Sequence, residues 1–217
     1  MTAASEHSSL DTFPKLYARN AKVRGERPAL RFKDRGIWQT WSWAQSWDQV
    51  RALALAFANI GVGHGDKVAI VGVNRPALYW AIAAAQTLRA VPVPVYADAV
   101  ADELAYVLEN ADVKIVVAQD QEQVDKVLAN ADRLPLLAHV VYDEERGLET
   151  YDKSKLTPIA AMIERGGEML AKDPAAARRV EEYVAAGRGE DASIILYTSG
   201  TTGRSKGVVM SAAGSVA

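Results

Sequence analysis

Apolar positions along the chain switch repeatedly between a spacing of three to four and short unbroken runs, the pattern of helices alternating with buried strands. Phe13 to Val23 predicts a first amphipathic helix. Ala29 to Phe32 and Ile37 to Trp41 flank Asp34-Arg35-Gly36 and predict a β-hairpin. Ser42 and Gln45 stand at capping-box spacing for a helix running to about Ile60, where Gly61 stops it. Val68 to Val73 and Val91 to Val95 read as buried strands, joined by a helix that Pro76 opens and that ends near Leu88. Two helix and strand pairs follow, Asp102 to Asn110 with Val113 to Ala118 and Gln121 to Ala131 with His139 to Tyr142. Thr157-Pro158 marks a helix start by the N-cap rule, Ala175 to Ala186 is a further helix ended by Gly187, and Ser193 to Tyr197 is a last buried strand. This alternation predicts an α/β fold, a largely parallel sheet flanked by helices, preceded by an N-terminal β-hairpin.

Composition narrows the function classes. With 217 residues, 49% hydrophobic and 24% charged, the chain can bury a sizeable core in one large or two small domains. A net charge of −2 implies no nucleic-acid partner. The absence of cysteine removes disulfides and thiolate chemistry and suits the cytoplasm. Met1 to Ser9 lacks the basic start and apolar core of a secretory signal. Ala77 to Val95, the most apolar region, is broken by Arg89, Pro92 and Pro94 and falls short of the ~20 uninterrupted residues of a transmembrane segment. The expectation is a cytoplasmic protein, with peripheral contact at a membrane left open.

Several eye-catching residues have plainer readings. Trp38, Trp41, Trp43 and Trp47 could stack a base, but their places on a strand and at a helix start favour core and hairpin packing. His7, His64 and His139 lack metal-ligand spacing. Gly61-Val-Gly-His-Gly65 precedes its strand instead of following it, the wrong setting for a dinucleotide loop. The runs Asp143 to Glu145 and Glu181-Glu182 read as solvated faces.

The stretch from Tyr197 to Val208 is different. Gly200, Gly203 and Gly207 let the backbone approach an anion, and Thr198, Ser199, Thr201 and Thr202 add hydroxyl donors. Lys206 adds a charge on a flexible stem. Charge-assisted hydrogen bonds contribute roughly 1.5–3 kcal/mol each, enough in combination to hold a triphosphate. The Walker pattern does not fit, because Lys206 follows Ser205 and precedes Gly207, and Val208-Val209-Met210 continues as a strand. The competing reading is a polar surface hairpin without a ligand.

The string Thr198-Ser-Gly-Thr-Thr-Gly-Arg-Ser-Lys-Gly-Val208 resembles the phosphate-binding signature of the AMP-forming acyl-CoA synthetases, within the adenylating superfamily of luciferases and peptide-synthetase adenylation domains. Gly36 to Trp43, Gly65 to Ile70, Asn74 to Pro76, Ala90 to Tyr96, Arg146 to Leu148 and Tyr151-Asp152 fall in the family's order and are most similar to the long-chain fatty acid branch. Ser205 stands where the family commonly has proline, Arg89 where it has glycine, and Ala212 where a histidine that helps line the acyl pocket often follows.

The resemblance implies a flavodoxin-like subdomain of an adenylating enzyme, with residues 1–217 forming the N-terminal part of the large AMP-binding domain. It implies that Thr198, Ser199, Gly200, Thr201, Thr202, Gly203, Lys206 and Gly207 bind ATP phosphates and that Thr198 lies nearest Mg²⁺. It implies a fatty acid, ATP and CoA as substrates, with catalytic groups, adenine site and mobile C-terminal domain all beyond the chain. The expectation is therefore an N-terminal fragment, inactive alone and prone to self-association through uncovered apolar faces. A sister ligase for another carboxylic acid and a non-catalytic nucleotide-binding scaffold are the alternatives.

Overall fold

The computed structural model describes residues 10–198 and 204–217. Helix α1 (Phe13–Arg24) starts at Thr12, whose hydroxyl accepts a hydrogen bond from the Lys15 amide at 3.4 Å. Strands β1 (Pro28–Asp34) and β2 (Ile37–Ser42) pair antiparallel as the expected hairpin. Arg35 and Gly36 take φ of 46° and 86°, the pair of positive dihedrals that a tight turn between right-twisted strands requires. Helix α2 (Trp43–Asn59) carries the complete capping box, with Ser42 Oγ accepting from the Gln45 amide at 3.2 Å and Gln45 Oε1 from the Ser42 amide at 2.9 Å.

The centre is a five-stranded parallel sheet of β3 (Lys67–Val71), β4 (Val91–Val95), β5 (Val113–Ala118), β6 (His139–Tyr142) and β7 (Leu156–Pro158). Its spatial order is β4-β3-β5-β6-β7, the winding of a flavodoxin-like sheet. Helices α3 (Pro76–Thr87), α4 (Ala101–Asn110) and α5 (Gln121–Leu128) make the crossovers. Helices α6 (Ile159–Lys172) and α7 (Pro174–Ala186) follow, then the hairpin of β8 (Ala192–Thr198) and β9 (Lys206–Ser211) and the short α8 (Ala212–Val216).

Side chains of the central strands alternate between two cores. Val68, Ile70, Ile115 and Val117 pack with α2, α3 and α6 on one face, and Ala69, Val71, Val116 and Ala118 pack with α4 and α5 on the other. A sheet covered on both faces explains why these strands read as unbroken apolar runs. Helices α2 and α6 cross closely, with Gly166 set against the Ala52 carbonyl so that any Cβ would collide.

Three local expectations are corrected. The helix expected at Thr157-Pro158 starts one residue later, at Ile159 with Pro158 as its N-cap, and the pair itself belongs to β7, where Leu156 is buried and Thr157 pairs with Val141. The helix expected to reach Ala131 stops at Leu128, and a separate 3₁₀ turn spans Ala131–Arg133. Strand β3 ends at Val71, short of the expected Val73, and at Gly72 a Cβ would meet Gln119 Cβ and Leu78 Cδ1, each at 2.7 Å.

Two ties fix the root of β8. Gln86 Nε2 on α3 donates to the Ser193 carbonyl at 2.9 Å and to its hydroxyl at 3.0 Å. Arg89 grips Asp191 with both prongs of its guanidinium, at 2.8 and 2.7 Å. Arg89 itself has φ of 58°, a left-handed conformation that costs a non-glycine residue about 1–2 kcal/mol. The paired hydrogen bonds to Asp191 offset part of that strain. The Arg89 guanidinium in turn holds the Asp191 carboxyl below the usual carboxylate range.

Candidate functional site

The register of the last hairpin brings two of the candidates together. Strands β8 and β9 pair antiparallel with Thr198 opposite Lys206 and Tyr197 opposite Gly207. Directly opposed residues share one face, with Cβ atoms about 4.5–5.5 Å apart. Thr198 and Lys206 are both exposed, so a hydroxyl and an ammonium flank the neck of the intervening loop. Ser199, Gly200, Thr201, Thr202 and Gly203 lie outside the described residues.

Gly207 has a packing role. A Cβ there would sit 3.0 Å from Ile195 Cγ2 and 3.1 Å from Tyr197 Cζ, so the bare backbone makes room for the Tyr197 ring. That ring delivers its hydroxyl to Asn110 Oδ1 at 2.7 Å. Burial, with Tyr106 and Asp112 nearby, pushes the Tyr197 hydroxyl upward, which keeps it a donor.

Beside Thr198 opens a cleft of about 710 Å³ lined by Ile70, Leu78, Tyr79, Ile82, Tyr96 and Leu196 among others. Its wall is mostly apolar, and Tyr96 is 80% exposed at its rim. The cleft lies at the carboxyl ends of β3 and β4, with Gly72 and Val73 after β3 and Val95 and Tyr96 at the end of β4 in its wall, next to the reversal of strand order between β3 and β5, where ligands of doubly wound sheets commonly sit. There Gln119 Oε1 accepts from the Val73 amide at 2.7 Å and Gln119 packs on Gly72. Beyond it Arg75 pairs with Asp143 at 3.2 Å and Glu144 at 3.4 Å. Burial raises the Asp143 carboxyl against the pull of Arg75. The acidic run is thus partly a brace for Arg75, and not only a solvated face as expected.

Other expectations resolve into packing. Trp43 and Trp47 lie against Tyr17, with ring centroids 5.4 and 5.7 Å away, and Trp41 against Trp80 at 5.5 Å. Trp38 is exposed, with the Arg31 guanidinium 5.1 Å from its ring centroid. His139 Nε2 meets Thr157 Oγ1 at 2.8 Å between β6 and β7. Among the described residues no helix is long and apolar enough to cross a membrane, and no three His, Cys, Asp or Glu side chains cluster to hold a metal ion.

Sequence reasoning missed the residues that brace the hairpin. Tyr106 Oη donates to the Ser205 carbonyl at 3.1 Å, and the Arg204 guanidinium lies 5.1 Å from the Tyr106 ring centroid. Glu103, Tyr106 and Asn110 follow the i, i+3, i+7 spacing of one helix face. That polar stripe on an otherwise amphipathic helix was the available signal.

Known proteins resemble the chain in sequence and in fold. Residues 17–217 match the family model of the AMP-binding enzymes. The long-chain-fatty-acid–CoA ligase FadD15 of Mycobacterium bovis is 31% identical over 174 residues, 79% of this chain and 26% of the relative. The long-chain-fatty-acid–CoA ligase ACSBG2 of Mus musculus is 25% identical over 207 residues, 94% of this chain and 30% of the relative. The chain thus spans between a quarter and a third of these relatives' length. The crystal structure of the anthranilate CoA ligase AuaEII with anthranoyl-AMP superposes with a TM-score of 0.77 at 20% identity, covering 98% of this chain and 37% of that one. The family model runs from Tyr17 to residue 217, and the chain therefore belongs to the AMP-binding enzyme family.

Proposed function

We propose that this chain is the N-terminal part of the large AMP-binding domain of a cytoplasmic ligase that activates a long-chain fatty acid with ATP and transfers it to CoA. The opposition of Thr198 and Lys206 across the loop's neck carries the reading. A carboxylate is a poor acyl donor, because hydroxide leaves badly. Attack of a carboxylate oxygen on the α-phosphorus of ATP forms the acyl-phosphate bond and breaks the bond to pyrophosphate, and the CoA thiol then displaces AMP from the mixed anhydride. Lys206 and the loop's hydroxyls and amides hold and orient the β- and γ-phosphates, so that negative charge is met as pyrophosphate departs.

Mg²⁺ belongs to this reading as part of the nucleotide substrate. Thr198 offers one exposed hydroxyl oxygen, which fits a hard cation that takes most of its ligands from phosphates and water. The long-chain preference rests on the ligases FadD15 and ACSBG2 and on the apolar wall of the cleft beside Thr198. A flavodoxin-like nucleotide scaffold is the weaker reading, because the relatives FadD15 and ACSBG2 are ligases.

The test is to supply a ligase of full family length carrying this chain with ATP and either palmitate or anthranilate. Release of pyrophosphate and formation of palmitoyl-AMP are expected. Activation of anthranilate alone would favour a sister ligase, and activation of neither acid would defeat the assignment.

A further inference from the structure

Helix α4 joins β4 to β5 and is held to the sheet by Leu104, Val107 and Leu108, all buried. Its opposite stripe reaches both strands of the β8–β9 hairpin. Asn110 accepts from Tyr197 Oη at 2.7 Å on the β8 side. Tyr106 Oη donates to the Ser205 carbonyl at 3.1 Å on the β9 side, and its ring lies under Arg204. Glu103 Oε1 stands 3.5 Å from Ser205 Oγ, a long and weak contact. These contacts fall one residue before Thr198 and one or two before Lys206, so they bracket the pair that faces across the neck. Elsewhere the hairpin's outer strand is open to water, with five of the six β9 residues exposed.

We infer that the Glu103, Tyr106 and Asn110 face of α4 is a clamp that fixes the spacing of Thr198 and Lys206 across the phosphate loop, with Tyr106 as its chief positioning residue. The inference rests on the phosphate reading of the loop. It also gives Ser205 a physical context. Proline would restrict φ at this position from within the chain; serine does not, and the Tyr106 hydroxyl restrains the same residue through its carbonyl oxygen. A preorganised neck keeps Lys206 from spending binding free energy on ordering its own strand, and a misplacement of about 1 Å is enough to weaken such a site. Tyr106→Phe is the sharp probe, because it keeps the ring beneath Arg204 and removes only the donor to Ser205.

Inorganic tripolyphosphate titrated into a full-length ligase carrying this chain, together with amide hydrogen exchange at Lys206 and Gly207, tests this. The expected result for Tyr106→Phe is faster exchange at those amides and an affinity weaker by about tenfold, the effect of one hydrogen bond, with an unchanged melting temperature. Tyr106→Ala, which also removes the ring, should lose more. If Tyr106→Phe exchanges and binds like the parent while Lys206→Ala binds weakly, the clamp is wrong and the phosphate site stands. If neither the parent nor any variant binds tripolyphosphate, the phosphate reading fails and the positioning role fails with it, even where exchange still reports a loosened hairpin.

Discussion

Strands β5 and β9 have the same length but opposite surroundings. β5 hides five of its six residues between two layers of helices, whereas β9 exposes five of six. The central sheet is held by apolar contact, which is non-directional and repeated across many side chains, each worth about 1.5–3 kcal/mol when fully buried. The hairpin that carries Thr198 and Lys206 packs only Ile195 and Tyr197 against that core and adds a few directed ties: Arg89 to Asp191, Gln86 to Ser193, Tyr197 to Asn110 and Tyr106 to Ser205. One region can lose a methyl group and remain folded. The other can lose its geometry through a single hydrogen bond while the protein stays intact.

The largest contrast should come from a charge. Val116 is fully buried in β5, and an unpaired carboxylate there costs several kcal/mol against a total stability of about 5–15 kcal/mol. Val116→Asp is expected to abolish cooperative unfolding by near-UV circular dichroism, and a wild-type melt would show that β5 is not the core it is taken to be.

Gly166→Val should come next. Its Cβ would collide with the Ala52 carbonyl, whereas nothing lies within 4 Å of a Cβ at Gly167. Overpacking costs typically about 1–3 kcal/mol and more where backbone must move. The expected result is a marked loss at 166 and none at 167, read from denaturant midpoints; equal effects would contradict the close crossing of α2 and α6.

Asp191→Asn tests a directed tie. The Arg89 pair is partly exposed, so a loss of about 1–2 kcal/mol is expected. Because Arg89 depresses the Asp191 pKa in the fold, the pair's contribution is present above the unfolded-state value near ~3.9 and disappears as pH falls through the lower folded value. The parent should therefore lose stability on acidification below about pH 4 more steeply than Asp191→Asn. Parallel pH profiles would remove Arg89 and Asp191 from the account of β8.

The smallest effect is expected at Val209, 62% exposed on β9. Val209→Lys should shift stability of the chain by no more than about 0.5 kcal/mol. A large loss, measured by thermal melting, would mean that the outer face of the hairpin is covered.

How much of this was legible in the sequence follows from the same division. Apolar runs such as Val113 to Ala118 announce buried strands, and Ser42 with Gln45 announces its helix, because each signal is local. The three-residue β7 was hidden, since Pro158 at its end and Thr157 mimic a helix start. Gly166 and Gly167 look alike in sequence, and only the crossing of α2 and α6 separates them. At the candidate site, Thr198 and Lys206 were legible because loop chemistry is written in adjacent residues. Tyr106 and Asn110 were not, because their partners Ser205 and Tyr197 lie 99 and 87 positions away.

The central claim is that the hairpin's neck grips phosphate while adenylation occurs. The most direct measurement compares Lys206→Ala and Thr198→Ala with the parent in a full-length ligase carrying this chain, for acyl-AMP formation from ATP and for thioester formation from supplied palmitoyl-AMP. Loss of one preorganised donor to a developing charge costs about 10²–10³ in rate. That deficit is expected in the first half-reaction, with the second close to the parent. Equal slowing of both half-reactions, or of neither, would contradict the account and leave β8 and β9 as a structural hairpin.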